Sequence, residues 1–397
     1  MSFLPPYRML DMAWLGPGPF CAQILGDLGF DVIKITEVAP GKGRRGGRSL
    51  APHMMFHEPT PHARRLGTRN ARSIALNLKT PEGQDVFRRL VRTADVIQEG
   101  FRPGVAERLG VGYEAVRQIK PDIVYVSITG YGQDGPYRDR VGHDLNYLSV
   151  AGFIDMNGRA GGPPAIPGTV VADFAAGGMS AALHILAALL RRERTGEGAY
   201  ADVSMTDAAF AINSLPIQGY LDSGLEPRRG ETFTSGFWPW YDVYETRDGK
   251  YVSVAAVEPW FYEQLCRALG HEEFADKQWS LEHREAIRAE FARIFKTKTR
   301  QEWVEELGRE EVCFAPVLSV SEAVQDPQMV ARGMVARVEH PVYGAVSVVA
   351  SMLRFAGFPF QVRQWNLQPG EHTEQVLTEL GYTAAEIAEL REREVIK

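Results

Sequence analysis

Two segments of the sequence carry side chains suited to proton transfer. The first, Gly142–Tyr147, reads Gly-His-Asp-Leu-Asn-Tyr, and the second holds Asp173 between an apolar run and a helical stretch. Histidine and aspartate titrate at about 6.5 and about 3.9 in isolation, and a site that brings both values toward neutral pH lets the pair exchange protons. The sequence therefore predicts that His143 and Asp173 face each other across a pocket as an acid–base pair.

Each of these side chains also has a structural interpretation. Asp173 stands where a helix would begin, so it could act only as an N-cap, and His143 could only anchor a loop. Glu258, which precedes Pro259, could orient His143 or simply end a strand. A helix that begins beside Asp173 would also stabilise negative charge near its N-terminus. The residues alone leave both interpretations open.

Short β-branched segments alternate with helical segments over the first 130 residues. Thr80-Pro81-Glu82 is typical of a helix start, because threonine caps, proline fits the first turn and glutamate favours the positive end of the helix dipole. This alternation predicts an α/β fold in which helices flank both faces of a parallel sheet. A longer helix is predicted from Phe174 to about Arg194. The predicted strands are Asp31–Ile35, Ser73–Leu78, Asp95–Ile97 and Ile123–Ile128.

A second, smaller α+β domain is predicted after an irregular stretch at 227–236. It begins with a hairpin, Tyr241–Val257, that turns at Asp248-Gly249 and is followed by helices. Residues 342–355 are again predicted as strand, and a helix follows Thr383. We therefore expect three parts: a large α/β domain over 1–225, the small domain over 226–335, and a return to the large domain over 336–397.

The composition argues against several classes of protein. The 397 residues carry 44 basic and 50 acidic side chains, and a net charge of −6 argues against a general nucleic-acid binder. The three cysteines lie far apart, which predicts neither disulfides nor a metal site and fits the reducing cytoplasm. No membrane association is expected, because no signal peptide is evident and the most apolar run, Ala181–Leu190, is too short to span a bilayer. No metal is expected either, since the spacing of His53, His57 and His62 is poor for zinc.

Positive charge is concentrated between Lys34 and Lys79, where ten basic residues are opposed only by Glu37 and Glu58. Guanidinium groups bind phosphate bidentately, so the segment predicts a phosphate-bearing ligand, with a solvated basic loop as the alternative. Gly41–Gly46 matches a GxGxxG string, yet no helix follows it. We interpret it as a flexible basic loop and not as a dinucleotide-binding turn.

Several motifs spread over nearly the whole chain are shared with one family. They are Leu15–Phe20, Arg72–Lys79, Glu99–Gly104, Gly142–Tyr147, Arg194–Gly198 and Gly370–Thr373. By these motifs the sequence resembles the family III CoA-transferases, and within them the α-methylacyl-CoA racemases. The resemblance implies a large α/β domain with a nucleotide-binding-like sheet, a smaller domain and an interlocked homodimer. It also implies that no metal or redox cofactor is used, because CoA is part of the acyl-CoA thioester substrate.

The resemblance also implies roles for individual residues. In the transferases an aspartate that matches Asp173 attacks the acyl group and forms a mixed anhydride. In the racemases the same aspartate is an acid–base group opposite a histidine that matches His143, and an acidic residue that matches Glu258 supports the histidine. Transferases generally lack the Gly-His-Asp motif. The residues that match CoA contacts are Leu76, Asn77, Leu78, Lys79, Phe101, Arg108, Asp144 and Tyr147.

One departure from the family pattern concerns the CoA phosphates. Glu37 stands where the family often has arginine, and the loop from Val38 to Arg69 is longer than usual. Basic residues of that loop are expected to replace the missing phosphate contact, and the candidates are Lys42, Arg44, Arg45 or Arg48.

The sequence thus predicts a racemase that interconverts R and S 2-methylacyl-CoA thioesters. His143 removes the α-proton from one enantiomer, Asp173 removes it from the other, and backbone N–H groups near the helix after Asp173 hold the enolate. The alternatives are a CoA-transferase with Asp173 as nucleophile and an acyl-CoA-binding protein without catalysis. The acyl group stays open, with Phe237, Trp238 and Trp240 as candidate contacts.

Overall fold

The computed structural model describes residues 3–38 and 69–397 of the chain. The chain divides into two compact units. The first is bounded by Met1–Ala151, Thr169–Ile212 and Met334–Lys397, and the second by Gly152–Gly168 and Asn213–Gly333. Each unit therefore gathers segments that are far apart in sequence.

A six-stranded parallel sheet forms the centre of the first unit. Its strands are β1 (Arg8–Asp11), β2 (Asp31–Thr36), β3 (Ala71–Ala75), β4 (Val96–Glu99), β5 (Val124–Thr129) and β6 (Ala199–Ser204). The order across the sheet is β3-β2-β1-β4-β5-β6, and every neighbouring pair is parallel. The order reverses between β1 and β4. Open α/β sheets bind ligands at such a point, outside the carboxyl ends of the strands.

Helices cover both faces of this sheet, which confirms the predicted architecture. On one face Phe87 and Tyr125 lie in a buried apolar core. On the other face Leu25 and Ile185 lie in a second core. Strands buried on both faces need continuous apolar sequence, and this explains their β-branched runs. The helices of the first unit are Pro17–Leu28, Pro81–Thr93, Val105–Arg108, Tyr113–Ile119, Asp144–Val150, Ala172–Met179, Ser180–Thr195, Met205–Ile212, Thr373–Glu379 and Ala384–Glu392.

The predicted strand Ser73–Leu78 is wrong in its second half, since β3 stops at Ala75. The Asn77 N–H donates outside the sheet, to the carbonyl of Val395 at 2.8 Å. The apolar pattern continues past the strand because Leu76 is buried in the core beneath the C-terminal segment. The Leu76 N–H still donates to the carbonyl of Thr36 on β2 at 2.8 Å, so the alternation extends beyond the backbone pairing to β2 only at Asn77 and Leu78.

The long helix has two parts and begins earlier than predicted. Residues Ala172–Met179 form a π-helix, and Ser180–Thr195 continue as an α-helix. Asp173 therefore lies in the first turn and is not the N-cap, which corrects the expected capping role. The helix ends at Gly196, whose φ of 71° is the left-handed conformation that glycine favours.

By length and composition alone, the 24 residues from Ala172 to Thr195 are apolar enough to cross a membrane. In the structure Ala181, Ile185 and Leu189 are buried in the core beside β5. A helix with one buried apolar side is the ordinary core helix of an α/β unit.

The second unit contains a small antiparallel sheet and several helices. Strands β7 (Tyr241–Glu245) and β8 (Tyr251–Ala255) form the predicted hairpin, and β9 (Phe314–Val317) pairs with β8. Trp240 and Trp303 are buried in its core. The helices of this unit are Phe153–Met156, Ser214–Ser223, Pro259–Ala268, Glu272–Lys277, Arg284–Phe295, Arg300–Leu307, Val320–Ala323 and Pro327–Ala331.

The chain returns to the first unit after the second. Strands β10 (Val335–His340) and β11 (Gly344–Val349) form an antiparallel hairpin, which confirms part of the strand predicted at 342–355. The helix predicted after Thr383 is also present, and the Thr383 hydroxyl accepts the N–H of Glu386 at 3.3 Å. This cap fixes the start of the last helix.

Gly83 gives a test of this packing. It lies in the first turn of the helix Pro81–Thr93, where a Cβ would overlap the carbonyl oxygen of Asn77. Alanine is usually better than glycine in a helix by about 1 kcal/mol. We expect Gly83→Ala instead to destabilise the protein by about 1–3 kcal/mol, because the backbone at Asn77 must move. Thermal unfolding followed by circular dichroism measures the change.

The control is Arg92→Ala, at an exposed position of the same helix. It should change stability by no more than about 0.5 kcal/mol. An unfolding temperature for Gly83→Ala at or above that of the wild type would contradict the close approach to Asn77.

Candidate active site

Three chain segments meet where the strand order of the sheet reverses. Gly16 follows β1, the loop Gly100–Gly104 follows β4, and the segment that reaches His143 follows β5. The carboxyl ends of parallel strands share one edge, so these segments emerge on the same side of the first unit. The π-helix Ala172–Met179 packs against the helix Pro17–Leu28 beside them. This edge is the candidate active site.

The Gly-His-Asp-Leu-Asn-Tyr motif folds into a helix start that leaves His143 exposed. The His143 N–H donates to Oδ1 of Asn146 at 3.0 Å. The Tyr147 ring lies against Gly130 and Gly142, and a Cβ at either glycine would collide with it. The Tyr147 hydroxyl donates to the Gly142 carbonyl. Glycine, asparagine and tyrosine therefore fix the backbone of the motif, and the imidazole stays at the surface.

A hydrogen bond between Asp144 and Asp173 joins the two predicted halves of the site. Oδ2 of Asp144 accepts the backbone N–H of Asp173 at 2.9 Å. The Asp173 carboxyl group lies against the backbone of Gly16, where a Cβ would be 2.5 Å from Oδ2 of Asp173. Gly16 also has a φ of 64°, in the region that glycine favours. Sequence reasoning missed Gly16 as a site residue, although it stands inside the Leu15–Phe20 motif.

The pKa of Asp173 reflects these neighbours. Burial raises this pKa, the charge of Asp144 raises it further, and His143 opposes the rise, with a result of about 6. Burial and then the charge of Asp173 raise the pKa of Tyr147 to about 12. The four side chains thus form one electrostatic cluster. A carboxyl group that titrates close to neutral pH can serve as both an acid and a base.

The residues Leu76–Lys79, which match CoA contacts, differ in exposure. The side chain of Leu76 is buried in the core. Asn77 and Leu78 are half-buried, and Lys79 is exposed. Oδ1 of Asn77 accepts the N–H of Lys79 at 3.2 Å, so these residues form a turn after β3. Asn77, Leu78 and Lys79 are therefore the members of this strip that keep exposed surface, and their contact with CoA stays a prediction.

The other predicted CoA contacts follow β4 and β5. Phe101 packs against the core beside β4, and Arg108 ends the helix Val105–Arg108 with its guanidinium close to Gly104. The charge of Arg102 acts on the pKa of Tyr147, so the loop after β4 lies near the histidine motif. The structure thus brings these contacts to the edge that holds the Asp173 cluster.

Glu258 belongs to the second unit. It is exposed and precedes the first turn of the helix Pro259–Ala268. Burial and then the charge of Glu258 raise the pKa of the Cys313 thiol. Its role beside His143 stays a prediction.

Trp240, an expected contact for the acyl chain, is a core residue of the second unit. It is fully buried, and its Nε1 donates to the carbonyl of Gln278 at 2.8 Å. Trp238 is also almost fully buried beside it. The expectation of acyl contacts is therefore wrong for Trp240 and Trp238. Phe237 is half-buried, and the Arg284 guanidinium lies 3.9 Å from the centre of its ring.

Three basic residues of the Lys34–Lys79 segment that the structure describes form ion pairs inside the protein. Each cation is mostly buried beside a carboxylate, so its charge is already compensated. The phosphate-binding interpretation is therefore wrong for these three cations. The pairs are Lys34–Asp11, Arg69–Asp27 and Arg72–Asp31. Other predictions lie outside the described residues, namely those for Lys42, Arg44, Arg45, Arg48, Gly41–Gly46, His53, His57 and His62.

Comparisons with known proteins agree with this geometry. Residues 4–373 match the family described as CoA-transferase family III. The chain is 34% identical to alpha-methylacyl-CoA racemase of Homo sapiens over 391 residues, which is 98% of this chain and 96% of that protein. It is 32% identical to succinyl-CoA:glutarate CoA-transferase of Homo sapiens over 390 residues, 96% of this chain and 87% of that protein. A crystal structure of a CAIB/BAIF family protein from Brucella suis matches with a TM-score of 0.77 at 27% identity, covering 96% of this chain and 99% of that one.

The protein belongs to CoA-transferase family III. The match covers almost the whole chain, which confirms the resemblance found in the motifs. A racemase and a transferase are similar to the chain at nearly equal identity. Overall identity therefore defines an enzyme of this superfamily, and the choice of reaction depends on the site residues.

The raised pKa of Asp173 has a consequence for stability. When the folded pKa of a carboxyl group lies above its unfolded value, stability is lost as pH rises between the two, here from about 4 to about 6. Asp173→Asn keeps the size of the side chain and removes the ionisation. We expect the variant to unfold at a higher temperature than the wild type at about pH 8, and at a similar temperature near pH 4. Differential scanning calorimetry at both pH values measures the difference.

The control is Asp139→Asn, since the Asp139 side chain is 84% exposed. That variant should follow the wild type at both pH values. If Asp173→Asn gave no gain at about pH 8, the carboxyl group would not be destabilised by burial as the structure indicates.

Proposed function

We propose that the protein is a racemase that interconverts R and S 2-methylacyl-CoA thioesters by two-base transfer of the α-proton. The observation that carries this proposal is the Asp173 carboxyl group, which titrates near neutral pH between Gly16 and Asp144 and beside His143. The similarity to a protein named alpha-methylacyl-CoA racemase over 98% of the chain supports it.

The chemistry needs one base and one acid on opposite faces of the substrate. The thioester carbonyl makes the α-hydrogen acidic, and its removal leaves a planar enolate. In one direction neutral His143 takes this proton, and protonated Asp173 gives a proton to the other face. In the reverse direction the Asp173 carboxylate takes the proton, and the His143 imidazolium gives one back. Each turnover therefore moves one proton onto the base and one off the acid.

Burial, together with the charge of Asp144, makes Asp173 suitable for both roles. An isolated aspartate with a pKa of about 3.9 is almost entirely ionised at neutral pH and is a poor acid. Burial and the charge of Asp144 raise the pKa of Asp173 to about 6. At pH 7 about a tenth of the Asp173 carboxyl groups are then protonated and can act as the acid, and the rest are ionised and can act as the base.

The enolate oxygen requires a positive environment. The start of the π-helix supplies the positive end of a helix dipole. Two N–H groups at this start are already bonded, that of Asp173 to Asp144 and that of Phe174 to the carbonyl of Val170. We therefore assign the stabilisation to the helix terminus as a whole and not to these two groups.

The substrate is proposed to lie along the carboxyl edge of the sheet, with its CoA part against Asn77–Lys79, Phe101 and Arg108. Glu258 is proposed to support His143. The reaction is proposed to use no metal or redox cofactor, because protons alone move. We place the activity in the cytoplasm, in line with the three unpaired cysteines.

An interlocked homodimer is part of the proposal. The helix Ser214–Ser223 has no buried residue in the single chain, although Leu215 and Leu221 are each 67% exposed. Exposed apolar side chains that are clustered on one helix usually pack against a partner chain. The smaller α+β domain over 226–335 stays part of the proposal.

The second candidate is a CoA-transferase, and the similarity to a protein named succinyl-CoA:glutarate CoA-transferase favours it. The Asp173 carboxylate would attack the thioester carbonyl, expel the CoA thiolate and form a mixed anhydride. The thiolate would then attack the Asp173 carbonyl of the anhydride, which releases the donor carboxylate and leaves an aspartyl-CoA thioester. The acceptor carboxylate would attack this thioester and form a new anhydride, and the expelled thiolate would attack its acyl carbonyl, giving the new acyl-CoA and free Asp173. An acyl-CoA-binding protein without catalysis is the remaining possibility.

The deciding experiment uses one enantiomer of a 2-methylacyl-CoA in deuterated water without free carboxylate. A racemase gives α-deuterium by mass spectrometry together with inversion by chiral chromatography. A transferase gives neither, and it moves CoA only when a carboxylate acceptor is added. Binding without exchange or transfer supports the non-catalytic alternative.

Two variants test the separate roles of the bases. We expect Asp173→Asn and His143→Ala each to lower the rate of inversion by about 10²–10⁴-fold. Each variant keeps one base, so each should still exchange deuterium into one enantiomer without inverting it. Asp139→Asn, an exposed carboxylate, is the control and should keep full activity. Full inversion by Asp173→Asn would refute the two-base mechanism.

Gly16 tests the position of the carboxyl group. A Cβ at this residue would be 2.5 Å from Oδ2 of Asp173, so Gly16→Ala must displace the carboxyl group. We expect kcat to fall by about 100-fold, the scale on which small misplacements of reacting groups act. The KM for the CoA thioester should change little. The control is Gly196→Ala, at a glycine with a similar φ and no atom within 4 Å of the new Cβ, which should keep kcat. Equal kcat values for the two variants would contradict the proposed contact.

A further inference from the structure

A buried carboxyl group lies beneath the loop Gly100–Gly104, apart from the Asp173 cluster. Glu99 is the last residue of β4 and is only 3% exposed. One of its carboxylate oxygens accepts the backbone N–H of Phe101 at 2.6 Å. Glu99 therefore closes a tight turn at the point where the chain leaves the sheet. This turn carries Phe101, which the proposed function assigns to CoA.

A hydrogen-bonded chain extends from Glu99 across the edge of the sheet. In the strand register Glu99 lies opposite Ser127 on β5, and Ser127 lies opposite Asp202 on β6. Ser127 is hydrogen-bonded to Glu99, and the Tyr200 hydroxyl donates to the Ser127 oxygen at 3.3 Å. Tyr200 is 42% exposed, so the chain connects the buried carboxyl group with the surface.

The charged groups that act most strongly on Glu99 are acidic. Glu107 faces it from the helix Val105–Arg108, and Asp202 faces it from β6. The phenols of Tyr125 and Tyr200 also interact with it. Burial, opposed by the bonds from Ser127 and Phe101, is the main cause that raises the pKa of Glu99 to about 7. Both ionisation states of this group are therefore populated near neutral pH.

We propose that Glu99 is a positioning residue whose ionised carboxylate fixes the loop Gly100–Gly104 in the conformation that holds CoA. A hydrogen bond to a carboxylate is about twice as strong as one between neutral groups. Protonation of Glu99 therefore weakens the bond from the Phe101 N–H and loosens the loop. The affinity for CoA should in consequence rise with pH through the range in which Glu99 ionises. The assignment of CoA to this loop rests on the proposed function, whereas the effect of Glu99 on the loop does not.

Glu99→Gln is the variant that separates charge from shape. The amide keeps the size and can still accept the Phe101 N–H, but it stays neutral at every pH. Isothermal titration calorimetry with free CoA is carried out at about pH 6 and about pH 8. We expect the variant to bind CoA about fivefold more weakly than the wild type at pH 8, and equally well at pH 6. Comparing the two proteins at each pH removes the ionisation of the CoA phosphates themselves.

Hydrogen–deuterium exchange without any ligand tests the loop directly. At about pH 8 the Phe101 amide should exchange about fivefold faster in Glu99→Gln than in the wild type, and the difference should vanish at about pH 6. Glu107→Gln is the matched control, because it removes a neighbouring acidic charge and leaves the acceptor of the Phe101 N–H in place. This control should keep wild-type exchange and CoA affinity at pH 8.

The outcomes separate the two proposals. A constant ratio of CoA affinities at both pH values, with unchanged exchange at Phe101, would show that Glu99 only fills space and would overturn the inference. If none of the proteins bound CoA, the proposed function would fail, and the exchange measurement would still decide the role of Glu99.

Discussion

The hydrogen bond from the Asp173 N–H to Oδ2 of Asp144 is the contact on which the candidate active site depends. It connects the start of the helix Asp144–Val150 to the first turn of the π-helix, across a stretch of chain that passes through the second unit. It also places the negative charge of Asp144 beside the Asp173 carboxyl group, whose pKa that charge raises. Burial is the larger cause of the raised pKa, so the contact sets the geometry of the proposed base and adds to the change in its acidity.

Carboxylates at the ends of strands shape the loops around this site. Oδ1 of Asp11, the last residue of β1, accepts the N–H of Ala13 at 2.9 Å, and Glu99 at the end of β4 accepts the N–H of Phe101. The two carboxylates differ in their environment. Asp11 is paired with Lys34, whereas the strongest charged neighbours of Glu99 are acidic. The same turn is therefore held by a compensated charge after β1 and by a group that titrates near neutral pH after β4.

The buried carboxyl groups of the site lower the stability of the folded protein, and the rest of the unit compensates for this loss. A buried carboxyl group whose pKa is raised destabilises the folded state at the pH where it is ionised, and both Asp173 and Glu99 are such groups. Stable proteins tolerate such features mainly where function requires them. The two apolar cores on either side of the parallel sheet compensate for this loss of stability.

The sequence by itself determined the parallel α/β fold, the family and the residue types of the proposed acid–base pair, because β-branched runs, helix starts and short motifs are local signals. It did not determine where β3 ends, since burial of Leu76 extends the apolar pattern past the strand. It also did not show that Gly16 meets Asp173, or that Lys34 and Arg72 are used in internal ion pairs. Those facts depend on which distant segments share the carboxyl edge of the sheet. Only the tertiary structure decides this, because the burial and charge of neighbours far away in sequence set each contact and each pKa.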